Sequence, residues 1–160
     1  MSFSEKMRES LGAEGVRVEV RMPSEPLVAG QPHRGTVELQ GGARPAHIER
    51  LLVRLVEAVR FWRDETGASL PEEEARTREE RRNLTAAWSR TTLQTFTFEV
   101  GRELDAGAHL SIPIEIVVPG DCKPSSICCS HTLSVHAAIR GQIDPSTLAR
   151  IVVASDGEPI

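Results

Sequence analysis

The sequence predicts an all-β protein, an immunoglobulin-like antiparallel β-sandwich of about seven or eight strands. Three observations carry that prediction. Nearly every apolar segment alternates with a period of two, the repeat of a strand with one dry face and one wet face. Clusters of Gly, Pro, Asp and Ser separate those segments at short spacing. The longest apolar run, His47 to Asp64, lies among them and is long enough to pair with several.

The chain opens with Phe3, Met7 and Leu11, spaced by four with Glu5, Lys6, Arg8 and Glu9 between them. This is a short amphipathic helix over 1–14, stopped at Gly12 and capping one end of the sandwich. Three apolar residues bury too little area for a membrane anchor. Val16, Val18, Val20 and Met22 then face one way and Arg17, Glu19 and Arg21 the other, a half-buried strand. Residues 23–32 read as a proline-rich connection. Arg34 to Gln40 alternates again with Val37 and Leu39 inward, and Gly41-Gly42 supplies a turn.

The run HIERLLVRLVEAVRFWRD fits two periodicities. Taken by twos, Leu51, Val53, Leu55, Val59 and Phe61 make a dry face broken only by Glu57. The other set, Ile48, Arg50, Leu52, Arg54, Val56, Ala58, Arg60 and Trp62, is mixed. A helical stripe through Ile48, Leu51, Leu52, Leu55, Val56 and Val59 fits nearly as well. The neighbouring segments favour a strand, because they alternate by twos and a long strand can pair with them.

Residues 64–82, DETGASLPEEEARTREERR, form a polar insertion. Such a charge run reads as a solvated loop or hairpin tip, with 65–80 mobile and dispensable for folding. Glu72, Glu73 and Glu74 are consecutive and do not converge on one point, as calcium ligands must. In the next strand, Phe96, Phe98 and Val100 point inward and Thr95, Thr97 and Glu99 outward. Leu110, Ile112, Ile114, Ile116 and Val118 alternate most cleanly, with Pro113 on the outer face. Proline donates no ladder hydrogen bond, so this is an edge strand or carries a bulge. Cys129, His131, Leu133, Val135, Ala137 and Ile139 share a face, and Leu148 to Ala154 is the last strand.

A chain of 160 residues is one domain, 1–160, long enough to bury a core. A net charge of −4 argues against nonspecific nucleic-acid binding, which needs a basic surface. No apolar run has transmembrane length, and the first residues lack the apolar core of a signal peptide. Three cysteines, two of them adjacent, suit reduced thiols and a cytoplasmic location.

No phosphate-binding glycine loop or GxSxG elbow is present, and no cofactor is expected. Cys128, Cys129 and His131 are the one cluster of metal-ligand types, with Cys122 able to join from a loop. On a strand Cys129 and His131 share a face and Cys128 points away. Core cysteines beside a histidine are the plainer reading. Arg50, Arg54, Arg60 and Trp62 share one side of the long strand, a candidate docking face for an acidic partner. A solvated sheet face explains the same residues.

MSFSEKMRESLG, GVRVEV, GQPHRGTVELQGG and HIERLLVRLVEA together resemble the opening of the bacterial sporulation-control protein family, of the arrestin-like superfamily. IPIEIVVPGD and LSVHAAIRGQIDPSTLARIVV resemble the closing strands of that family's first lobe. The resemblance implies an arrestin-like sandwich and an adaptor or regulatory scaffold working through protein contacts. Family members commonly carry two lobes, and this chain has room for one. The competing class is a small metal- or thiol-dependent enzyme using Cys128, Cys129 and His131.

A single lobe keeps strand edges and faces that a second lobe would cover, so two-fold self-association is expected. Light scattering over a concentration series checks this. A monomer mass that holds at the highest concentration refutes it.

Overall fold

The computed structural model describes residues 15–78 and 83–154. The helical cap expected at 1–14 lies outside them. The strands are β1 (Arg17–Arg21), β2 (Leu27–Val28), β3 (Pro32–Gln40), β4 (Ala46–Arg63), β5 (Ser69–Pro71), β6 (Thr85–Leu104), β7 (His109–Val117), β8 (Cys129–Ile139), β9 (Ser146–Ile151) and β10 (Val153–Ala154). One helix, α1 (Glu72–Thr77), lies between β5 and β6. The count exceeds the expected seven or eight because β2, β5 and β10 are only two or three residues long.

The ambiguous run is a strand of 18 residues, β4. Its length lets it pair antiparallel with β6 on one side and with β8 and then β5 on the other. Strand β9 pairs beyond β8. The opposite sheet runs β1-β3-β7, all antiparallel. Residues 23–32 are more than a connection: β2 within them pairs in parallel with β10.

The two sheets face each other across an aliphatic core. Val37, Leu39, Ile114 and Ile116 come from one sheet, and Leu51, Val53, Leu55, Leu133, Val135 and Ala137 from the other. Each large aliphatic side chain there contributes about 2 kcal/mol on burial. The alternation that predicted the strands is therefore the alternation that fills the core.

The ladder breaks at one place where simple alternation misassigns a residue. Register shifts fall between Ile48 and Arg50 on both sides of β4. A bulge there reverses the facing of the residues before it. Ile48, expected on the mixed face, is fully buried with Leu51. A second shift, between Leu55 and Val56 against β6, leaves Leu93 packed on the core.

The described part of the polar insertion, 64–78, departs further from expectation. It is not a bare loop: β5 pairs with β4 at Phe61↔Pro71, Trp62↔Leu70 and Arg63↔Ser69. Leu70 and Ala75 are buried. The Asp64 carboxylate organises the turn by accepting from the Thr66 and Ala68 N–H groups, and Gly67 takes the positive φ that follows. Two small apolar residues in a charged run give no periodicity, which is why the sequence showed only a solvated loop. Pro113 does sit on an edge strand, since β7 has only β3 as a ladder partner among the described residues.

Leu55 is 0% exposed. Leu55→Asp should unfold the domain or render it insoluble, because an unpaired buried charge costs several kcal/mol or more. Denaturant titration checks this, and a soluble, cooperatively unfolding variant would contradict the burial.

Candidate functional site

Two groups of side chains gather where β4 runs past the end of the core, one on each of its faces. On the outer face, Arg60 and Trp62 project from alternate positions of β4 toward α1. Arg60 donates to both carboxylate oxygens of Glu72, Nε to Oε2 at 3.0 Å and Nη2 to Oε1 at 2.5 Å. The Trp62 Nε1–H donates to Oε2 at 2.7 Å. The Arg60 guanidinium also lies 5.1 Å from the Trp62 ring centroid, a cation–π contact. The Arg60 bonds, followed by that of Trp62, hold the Glu72 pKa down at about 2 against the opposing effect of burial. A forked guanidinium on a carboxylate is the strong form of this pair. It fastens α1 to the long strand.

Beside this clamp is an open groove of about 880 Å³, whose walls include Phe61, Leu70 and Pro71 on one side and Lys123, Pro124 and Cys128 on the other. The loop 119–128 forms the second wall. It is tied down by the Ser125 N–H to the Val153 carbonyl at 2.8 Å and by the Arg60 N–H to the Cys128 carbonyl at 2.9 Å.

The inner face of β4 carries the second group. Glu57 opposes His131 directly in the β4–β8 register. Glu57 Oε2 lies 3.1 Å from His131 Nε2. Cys122 Sγ approaches the same nitrogen at 3.4 Å from the loop, and Cys129 Sγ at 4.0 Å from β8. The other ring nitrogen, Nδ1, is 2.8 Å from Ser125 Oγ, which also accepts the Val153 N–H at 2.9 Å. His131 is wholly buried, and the Glu57 side chain is 13% exposed. Burial, then the Glu57 charge, raises both thiols, pushing Cys122 up to about 11 and Cys129 in the same direction. A raised thiol lacks the lowered pKa that marks an activated nucleophile.

The four residues expected on the docking face divide. Arg60 and Trp62 are taken up by Glu72. Arg50 lies 3.8 Å from Glu99 across the ladder, and Arg54 is exposed opposite Thr95. Of the cysteine cluster, Cys129 and His131 do meet, and Cys122 joins them. Cys128 points away, with its sulfur 3.4 Å from Ser126 Oγ. Glu57 and Ser125 were missed. The sequence held one signal for Glu57, a carboxylate interrupting an otherwise apolar strand face. Nothing local marks Ser125.

A family model described as SpoOM protein matches residues 4–157. The crystal structure of Spo0M, sporulation control protein, from Bacillus subtilis is 18% identical, with a TM-score of 0.68. That match covers 89% of this chain and 50% of the other, so this chain spans about half the length of that solved relative. The likeness establishes the arrestin-like β-sandwich. No curated protein matches the sequence.

The clamp should be pH-sensitive. Glu72 titrates lower in the folded chain than in the unfolded one, so its stabilisation is present above pH 4.5 and lost as pH falls toward about 2. Glu72→Gln should cost about 2 kcal/mol at pH 7, by losing bonds to a charged partner. Its stability should also fall less steeply below pH 4.5 than that of the wild type. Urea titrations at several pH values check both, and parallel pH profiles would contradict the clamp.

Proposed function

The chain belongs to the sporulation-control protein family, whose family model matches residues 4–157, and from that premise we propose that it is a non-enzymatic adaptor or scaffold of the bacterial cytoplasm. Family membership supports a regulatory role. The mechanism proposed is strand addition: an extended segment of a protein partner pairs with the free edge of β6.

One observation carries this reading. Strand β6 is 20 residues long and pairs only with β4 among the described residues. A long open edge presents a row of free N–H and C=O groups, and natural sheets usually guard such edges with charge or proline. The edge strand of the other sheet, β7, carries Pro113. The Thr91–Phe98 stretch of β6, TTLQTFTF, has neither charge nor proline. Arg50 and Arg54 lie on the outer face of β4 beside this stretch and would favour acidic side chains on the incoming strand. Arg60 and Trp62 serve the same surface indirectly, by holding α1 against the strand.

No helix among the described residues is long and apolar enough to cross a membrane. The enzymatic alternative through Cys128, Cys129 and His131 draws no support from the geometry, since Cys128 is turned away from the other two.

The test places charges on the open edge. Thr92 and Thr97 are exposed on β6. The Thr92→Lys, Thr97→Lys double variant should melt like the wild type and lose the protein partner captured by the wild type from its host. Undiminished capture by a folded variant would refute docking at β6. If wild type is a dimer by light scattering and the double variant a monomer, the added strand belongs to a second copy of this chain.

A further inference from the structure

We propose that Glu57, Cys129 and His131, with Cys122 closing from the loop, form a binding site for one divalent transition-metal ion of the zinc class. The ion would pin the 119–128 loop to the sheet.

The convergence on one nitrogen is the leading evidence. His131 Nε2 has Glu57 Oε2 at 3.1 Å, Cys122 Sγ at 3.4 Å and Cys129 Sγ at 4.0 Å. A ring nitrogen offers one hydrogen or one lone pair, so it can bond only one of the three. A cation placed among Glu57, Cys129 and His131 would engage all three at once, with the Cys122 thiol beside His131 able to swing in as the fourth. Glu57, Cys129 and His131 each present a ligand atom within 4.8 Å of the other two. Zinc bonds of about 2.0–2.3 Å in a tetrahedron need neighbouring ligand atoms about 3.2–3.8 Å apart, so small side-chain rotations complete the shell.

The surroundings are built as metal sites are built. Ser125 Oγ sits at the outer nitrogen, Nδ1, and is itself held by the Val153 N–H. That arrangement orients the ring and leaves Nε2 for the ion. The set is mixed in softness, two thiols with an imidazole and a carboxylate, which suits zinc better than calcium or magnesium. His131 is wholly buried, while Cys129 also lines the groove beside Lys123, Pro124 and Ser126, which supplies an entry path. Four protein ligands leave no open position, so the role is structural rather than catalytic. The ligands come from β4, β8 and the loop, three segments that the ion would join at the sandwich end. This inference does not depend on strand docking at β6.

The full chain, purified from cells grown with zinc, should carry about one zinc per chain by elemental analysis. Cobalt substitution should give tetrahedral d–d bands with thiolate charge-transfer absorption. Cys129→Ser should abolish stoichiometric zinc, and Cys122→Ser, on the loop, should remove part of the charge-transfer intensity while the domain still folds. Ser125→Ala should weaken binding about 10- to 100-fold through loss of ring orientation. Cys128→Ser should leave metal content and spectrum unchanged. A folded wild type that takes up neither zinc nor cobalt would overturn the site, leaving Glu57 and His131 as a buried ion pair. Full metal content in both Cys122→Ser and Cys129→Ser would overturn it as well.

Discussion

Everything in this fold depends on the pairing of β4 along both of its edges. A strand of this length cannot be stable alone in water, because each residue leaves a donor and an acceptor to be satisfied. Strand β6 supplies one ladder, and β8 and β5 supply the other. With both edges satisfied, the inner face must be dry, and Leu51, Val53 and Leu55 are wholly buried there. The second sheet exists to cover that face.

The same strand also explains why the chemistry gathers at one end. The aliphatic core takes up β4 from Ala46 to Leu55, and the strand continues past it. At Glu57 the inner face no longer meets the aliphatic core, so a carboxylate is tolerated beside His131 and the two thiols. Across the strand, the outer face gains Arg60 and Trp62, which Glu72 clamps to α1. A polar cluster on one face and an ion pair on the other are the means by which an overlong strand is finished without an apolar partner. The groove between α1 and the 119–128 loop follows from the same overhang.

Strands β6 and β7 each end a sheet, and the two edges are treated differently. Strand β7 ends its sheet with Pro113, whereas β6 ends the other with a run of threonines and phenylalanines that carries no charge. The β6 and β7 edges lie next to each other, one carrying proline and one left open.

Alternation by itself determined the architecture. The main strands, most of the inward sets on them and the shared face of Cys129 and His131 follow from a period of two, and the edge position of Pro113 from its missing donor. A pleated backbone allows no other placement once one face is dry. Three features were settled only in three dimensions. The bulge after Ile48 reversed one residue's facing, because register against two neighbours overrode local alternation. Within the polar insertion, residues 69–77 became a strand and a helix through β4 pairing and the Glu72 clamp, neither of which leaves a periodic trace in a charged run. The joining of Glu57, Ser125 and Cys122 to His131 rests on a cross-strand register and a loop closure. Those bring together residues up to 74 positions apart, and no local pattern encodes a contact at that separation.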